Sequence, residues 1–179
     1  GAATAVERAA PPVPVPHRWT DPAHAMAPCG MTSTSAGPRP TALVVGASRG
    51  LGHGICAELL DRGWDVVGTV RDPASDTPLH RLAMQSDAHL TIETLDINEP
   101  AHLPPLHARL AGRPLDLLLV TAGVTNNEQT PIGQVPVADF VDVMVTNALS
   151  PMRGIEALED LVTPDGLIGV MSSGQGSIT

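Results

Sequence analysis

Five short apolar runs recur along the chain from residue 41 onwards, separated by polar segments that contain glycine and proline. Runs of this length that lack strict polar alternation are typical of strands buried on both faces of a parallel sheet. We therefore predict five strands: TALVV (41–45), DVVGTV (65–70), HLTIETLDI (89–97), LDLLLV (115–120) and GLIGVM (166–171).

A four-residue apolar repeat after the first run predicts a helix. Leu51, Ile55 and Leu59 recur every four residues around HGICAELLDRG, so they share one helical face. Gly63 follows at the point where a helix C-terminus favours glycine. This helix is expected to pack that apolar face against the sheet.

A second, longer helix is predicted between the fourth and fifth runs, over residues 137–161. Its apolar positions include Phe140, Met144 and Leu149, and Pro151 is a site at which it can kink. Strands that alternate with helices and connect through right-handed crossovers form a doubly wound parallel sheet. The predicted fold class is therefore α/β of the Rossmann type.

The first 40 residues differ in composition from the rest and hold eight of the 18 prolines. Such a segment, also rich in Ala, Ser and Thr, cannot bury enough apolar surface to offset the entropy of ordering. We predict a disordered Pro/Ala-rich leader over residues 1–40 and one dinucleotide-binding domain over residues 41–179.

Charge and composition exclude several function classes. The net charge is −9 and all ten basic residues are arginine, without the clusters that nucleic-acid phosphates require. No apolar run approaches the roughly 18 residues of a membrane span. We expect neither a nucleic-acid partner nor a membrane.

Cysteine and histidine spacing argues against a disulfide or a metal site. Cys29 and Cys56 lie far apart in sequence, which fits a reducing, cytoplasmic location. His102 and His107 are the nearest histidine pair on a helix-like stretch, but no carboxylate or thiol stands beside them in sequence. They are interpreted as solvated or capping histidines, and no metal is expected.

The segment GASRGLG joins the first predicted strand to the first predicted helix. Glycines at such a turn let backbone amides approach a pyrophosphate, and the helix N-terminus adds unpaired N–H groups and a favourable dipole. A tight turn without a ligand is the alternative. The residues predicted to hold a dinucleotide here are Gly46, Ser48, Arg49, Gly50, Leu51 and Gly52.

The end of the second strand indicates which dinucleotide is bound. An NAD site commonly places a carboxylate there for the ribose 2′-hydroxyl, whereas this chain has Arg71. A guanidinium holds a 2′-phosphate, so Arg71, with Arg49 and Ser48, favours NADP(H) over NAD(H). Asp72 complicates this choice, because it either pairs with Arg71 or begins the next turn.

Five motifs in this order and approximate spacing resemble the short-chain dehydrogenase/reductase family: GASRGLG, LDI (95–97), LLLVTAGV (117–124), TNALSP (146–151) and VMSS (170–173). The chain is most similar to the classical, carbonyl-reductase and C-factor-like members, over residues 41–179. The resemblance implies that Asp96 and Ile97 border the adenine and that Ala122 and Gly123 line the cofactor cleft. It also implies two catalytic residues, Asn147 and Ser173, the second serine of its pair.

Two departures from the family pattern stand out. Thr121 replaces a strand-bridging Asn, which puts the local sheet contacts in doubt. The chain also contains no Tyr and no Lys. In the family a Tyr moves the proton and a Lys four residues later lowers its pKa, because a phenol near pKa 10 is a poor base at neutral pH. That motif would be expected beyond Thr179.

The resemblance therefore implies the amino-terminal part of an NADP(H)-dependent oxidoreductase that transfers hydride to or from a carbonyl or alcohol. In the complete enzyme Ser173 would orient the substrate oxygen and Asn147 would fix a relay water. The Asn147 helix is half of the family's usual dimer face, which implies a homo-oligomer. A nucleotide-sugar epimerase is a weaker fit, because GASRGLG and TNALSP resemble the classical members more.

A non-catalytic nucleotide-binding or interaction module that truly ends at Thr179 is the alternative. Against it, GLIGVM would then become an apolar sheet edge open to solvent, which folded proteins usually cover.

Overall fold

A computed structural model describes residues 38–125 and 130–172 of the chain. The predicted leader, up to residue 37, lies outside the described residues. Five strands and five α-helices follow one another: β1 (Thr41–Val45), α1 (Gly50–Asp61), β2 (Asp65–Val70), α2 (Pro78–Met84), β3 (Leu90–Thr94), α3 (Leu103–Leu110), β4 (Leu115–Val120), α4 (Val137–Met144), α5 (Ser150–Leu158) and β5 (Val162–Val170).

The strands form one parallel sheet in the order β3-β2-β1-β4-β5. The chain moves outwards from β1 to β3, then crosses back to place β4 on the other side of β1. This reversal creates a crevice outside the carboxyl ends of β1 and β4, where ligands bind in open α/β sheets. The predicted doubly wound Rossmann fold is confirmed.

Alternate residues of the central strands point into two separate cores. Leu43 and Val45 pack on one face with α3 and α5 residues such as Leu106 and Leu158. Val44 packs on the other face in a cluster that contains Cys56 of α1. Since both faces are covered, β1 is apolar on both sides after its first residue, Thr41, which explains the unbroken run ALVV.

Leu51 does not pack with Ile55 and Leu59 against the core, because it lines the cavity at the start of α1. Helix α1 begins at Gly50, so Leu51 lies in its first turn, at the open edge of the sheet, and 69% of its surface is exposed. Ile55 and Leu59 do pack against the core as expected. A four-residue repeat places residues on one helical face but does not show where along the helix the neighbouring sheet ends.

The predicted helical stretch over 137–161 is confirmed as one continuous run, in which the helix type changes along its length. Helices α4 and α5 are separated by a π-helical turn, Val145–Leu149, and a short 3-10 turn follows α5. Pro151 lies in the first turn of α5. A proline ring collides with the carbonyl group four residues earlier in a regular α-helix, and the wider π turn relieves that collision.

The two histidines singled out from the sequence behave differently from each other. The Nδ1 atom of His102 accepts the backbone N–H of Asp96 in the loop after β3 at 3.2 Å, and its side chain does not cap α3. His107 has no carboxylate beside it in sequence, but in the fold its Nε2 lies 2.9 Å from Asp160 Oδ2. The two residues are 53 positions apart in sequence, so only the folded sheet brings them together.

Cys56 is expected to be chemically inert in the folded protein. Its side chain is fully buried in the α1 core, and this burial raises the pKa of the thiol from 9.0 to about 12. The reactive thiolate is therefore scarce at pH 8. In a Cys29→Ser variant, iodoacetamide at pH 8 should label Cys56 slowly in buffer and rapidly in urea. Equal rates would contradict the burial of this side chain.

The same shift predicts a pH dependence of stability. Because the thiol pKa is higher in the folded protein than in the unfolded chain, folding is favoured fully below the unfolded value of 9.0. That contribution is lost as the pH rises from 9.0 towards about 12.

Among the described residues, no helix has both the length and the apolar character needed to cross a membrane.

Candidate functional site

A cavity of about 690 Å³ opens at the carboxyl ends of the strands. Five segments line it: the glycine turn between β1 and α1, the residues after β2, the residues after β3, the residues after β4, and the α4–π-turn segment with Asp142 and Thr146. These segments include all eleven predicted cofactor-binding residues: Gly46, Ser48, Arg49, Gly50, Leu51, Gly52, Arg71, Asp96, Ile97, Ala122 and Gly123.

Close backbone approach explains two of the glycines. Gly46 has a φ of +92°, and a Cβ on it would lie 2.6 Å from the backbone nitrogen of Ala122. A Cβ on Gly52 would overlap the Gly46 carbonyl oxygen and lie 2.6 Å from Thr121 Oγ1. The turn, the first coil of α1 and the end of β4 are therefore packed too tightly for any side chain at these positions.

Two threonine hydroxyls fix the shape of the glycine turn. The Gly46 N–H donates to Thr69 Oγ1 at 3.0 Å, and Thr121 Oγ1 donates towards the Val45 carbonyl oxygen at 2.9 Å. Thr121 thus makes the bridge between β4 and β1 that its replacement of Asn put in doubt. The role of Thr69 was missed, because a threonine inside a strand gives no sequence signal of a contact across the sheet.

The start of α1 faces the cavity with open hydrogen-bonding capacity. Arg49 is its N-cap residue and makes no side-chain capping bond. The first N–H groups of any α-helix lack intrahelical acceptors and lie at the positive end of its dipole. Gly50, Leu51 and Gly52 carry these groups and line the cavity. This edge of the site is suited to an anionic group such as a phosphate.

Two exposed arginines line the same end of the cavity. Arg49 lies in the glycine turn and Arg71 directly follows β2. Within residues 38–125 and 130–172, neither guanidinium forms an ion pair, whereas Arg39, Arg62, Arg81 and Arg109 each pair with a carboxylate. The cavity therefore holds two cations that are not neutralised by the described part of the chain.

Asp72 does not neutralise Arg71 either. Its Oδ1 accepts the Ala74 N–H at 2.9 Å, and its backbone carbonyl accepts the Ser75 hydroxyl at 2.9 Å. Of the two roles left open from the sequence, Asp72 therefore takes the second, since it begins the turn that follows β2.

The residues after β3 form another part of the cavity wall. The Asp96 carboxylate accepts the Asn98 N–H at 3.0 Å, which gives this loop a defined turn. Ile97 is buried in the core beneath it. An apolar floor beside a fixed carboxylate is suited to a flat ring with exocyclic N–H groups.

The residues after β4 are held by the π turn. Asn147 Oδ1 accepts the Val124 N–H at 2.9 Å, and Asn147 Nδ2 donates to the Val124 carbonyl at 2.7 Å. Val124 and Gly123 line the cavity, and Asn147 stands behind them. The amide of Asn147 therefore fixes the loop that forms this wall.

Comparison with known proteins identifies the family. A family model described as short chain dehydrogenase matches residues 40–179. The chain belongs to the short chain dehydrogenase family. The matched residues include the glycine turn, the Asp96 loop and the Val124 loop, and their roles towards a cofactor stay predictions.

Several individual proteins of known description are similar to this chain. One solved structure is that of a short-chain dehydrogenase/reductase from Burkholderia multivorans with bound NADP. It is 61% identical, with a TM-score of 0.76, and the matched region covers 79% of this chain and 62% of the Burkholderia chain. A carbonyl reductase from Pseudomonas aeruginosa in complex with NADP is 31% identical, with a TM-score of 0.74 and coverages of 79% and 61%. The NADPH-dependent pterin aldehyde reductase of Arabidopsis thaliana is 30% identical over 139 residues, which are 76% of this chain and 57% of that protein.

The chain thus spans about three fifths of the length of these proteins. Of the two predicted catalytic residues, Asn147 lies in the π turn, behind the Val124 wall of the cavity. Ser173 lies outside the described residues. Its neighbour Ser172 is exposed just after β5. The roles predicted for Asn147 towards a relay water and for Ser173 towards a substrate oxygen stay predictions.

Proposed function

We propose that this chain supplies the cofactor-binding part of an NADP(H)-dependent oxidoreductase that acts on a carbonyl or alcohol substrate. One observation carries the choice of cofactor: Arg49 and Arg71 line the cavity beside the glycine turn, with no carboxylate partner in the described residues. A guanidinium binds a phosphate monoester through charge-assisted hydrogen bonds, which the ribose hydroxyl of NAD(H) cannot match.

The residue that follows β2, where an NAD site commonly has a carboxylate, supports the same choice of NADP(H). Arg71 occupies the position after β2, and the nearest acid, Asp72, is engaged in its own turn. The Burkholderia and Pseudomonas structures, both described with NADP, are consistent with this proposal. So is the NADPH dependence of the similar pterin aldehyde reductase.

The proposed chemistry divides between the cofactor and the chain. When bound, the nicotinamide supplies or accepts hydride. The glycine turn would hold the pyrophosphate, Asp96 and Ile97 would border the adenine, and Asn147 would keep the Val124 loop in place. Ser173 would donate a hydrogen bond to the substrate oxygen. The 179 residues contain no Tyr or Lys to transfer the proton to that oxygen.

A binding and turnover experiment tests this proposal. Fluorescence titration of the 179-residue chain should give a lower Kd for NADPH than for NADH. A panel of ketones should produce no NADPH oxidation above the protein-free rate, because the chain has no residue with the proton-transfer role of a phenol. Equal affinity for both cofactors would refute the NADP(H) assignment, and ketone turnover would refute the division of roles.

Homo-oligomer formation also stays a proposal, supported by an apolar surface on the outer side of α4 and α5. The exposed residues of this surface are Val137, Phe140, Val141, Met144 and Met152. Cytoplasmic location is proposed from the cysteine usage alone.

A further inference from the structure

A buried polar cluster joins two walls of the cavity. The Asn98 Nδ2 atom donates to Thr146 Oγ1 at 2.8 Å, and Asn98 Oδ1 accepts the Ser150 hydroxyl at 2.8 Å. Thr146 is 5% exposed and Ser150 is 1% exposed. Because an amide offers one donor and one acceptor side, Asn98 satisfies both hydroxyls at once.

The position of this cluster differs from that of an ordinary core contact. Asn98 directly follows Asp96 and Ile97, so it anchors the loop after β3. Thr146 directly precedes Asn147, which holds Val124 by two hydrogen bonds. A continuous path therefore runs from the wall after β3, through the π turn, to the wall after β4.

We propose that Asn98 is a positioning residue that keeps the adenine end and the nicotinamide end of the cleft in register. This inference rests on the proposed function, because it assigns the two walls to the two ends of one dinucleotide. A ligand that spans both walls binds more tightly when the distance between the walls is already fixed in the free protein. If the walls move relative to each other, that motion must be frozen on binding, and its entropic cost lowers the affinity. A ligand that touches only the adenine wall does not incur this cost.

The test compares whole and partial ligands. NADPH is proposed to span both walls, whereas adenosine 2′,5′-bisphosphate carries the adenine, its ribose, the 2′-phosphate and the 5′-phosphate but lacks the nicotinamide half. In Asn98→Ala, the Kd for NADPH should rise about tenfold, while the Kd for the bisphosphate should rise less than about threefold.

A matched control separates positioning from general stability. Asp116 of β4 also links three strands, since its carboxylate accepts the Thr41 N–H of β1 at 2.8 Å and lies 3.5 Å from the Thr163 hydroxyl of β5. It lies near the amino end of β4, whereas the cavity lies at the carboxyl ends of the strands. Asp116→Ala should lower the midpoint of thermal unfolding without raising the NADPH Kd relative to that of the bisphosphate. If Asn98→Ala does not fold, Ser150→Ala replaces it in the test, because it removes only one hydroxyl of the cluster. Ser150→Ala should also raise the ratio of the NADPH Kd to the bisphosphate Kd.

The outcomes are distinct. A chain without substitutions that binds no NADPH would refute the proposed function, and this inference with it. If that chain binds NADPH, equal rises in both Kd values for Asn98→Ala, or a control that behaves in the same way, would refute the positioning role alone.

Discussion

Replacing Gly52 with alanine is expected to abolish NADPH binding. The added Cβ would overlap the Gly46 carbonyl oxygen and lie 2.6 Å from Thr121 Oγ1, and both contacts belong to groups that are already held by hydrogen bonds. The turn and α1 must then separate, which removes the amides from the phosphate position. Overpacking of this kind typically costs about 1–3 kcal/mol in the free energy of unfolding. Titration and thermal unfolding would measure the two effects.

Gly54→Ala is the matched control for this experiment. Gly54 lies in the same helix, two residues further on, and a Cβ there would meet nothing within 4 Å. Alanine in a helix interior is favoured over glycine by roughly 0.5–1 kcal/mol. Gly54→Ala should therefore bind NADPH normally and unfold at the same or a higher temperature. NADPH binding retained by Gly52→Ala would show that the turn does not hold the pyrophosphate.

Arg71→Asp is expected to reverse the preference for NADP(H). A carboxylate after β2 repels the 2′-phosphate and accepts hydrogen bonds from a free ribose 2′-hydroxyl. The Kd for NADPH should rise about 100-fold, a loss of roughly 2.7 kcal/mol. The Kd for NADH should change by less than about threefold or fall. Parallel titrations with NADPH and NADH measure this difference. The two cofactors differ only in the 2′-group, so all their other contacts with the protein are expected to be the same.

Arg153→Asp controls for the change in net charge. Arg153 is exposed on α5 and does not line the cavity, so its replacement adds the same negative charge away from the cleft. Losses of NADPH affinity that matched those of Arg71→Asp would assign the effect to long-range electrostatics. The assignment of Arg71 to the 2′-phosphate would then fail.

The sequence was sufficient to predict features that depend on local chemistry. Buried parallel strands must be apolar on both faces, so β1, β2 and β4 were readable as runs. The glycine turn was readable because Gly46 and Gly52 lie where backbone must approach backbone closely. Arg71 was informative because a charge after the second strand has few roles other than to meet a ligand or another charge.

Features that depend on long-range contacts were not readable. His107 meets Asp160 only after the sheet has formed, and Asn98 meets Ser150 from 52 positions away. Leu51 has the spacing of a core residue but projects past the edge of the sheet. In each case the local residue pattern is compatible with several partners, and the chain topology selects among them.

The π turn at Val145–Leu149 also determines which side of the following helix meets the sheet. A π turn holds one residue more than an α-turn, and each residue of an α-helix advances by about 100°. Deleting one residue there would rotate α5 by about that angle about its own axis. Leu158 and Gly154 would leave the interior, and neighbouring polar side chains would be carried towards it. An insertion or deletion in this turn is thus limited by how far it rotates α5 about its axis, and not by how much it lengthens or shortens the chain.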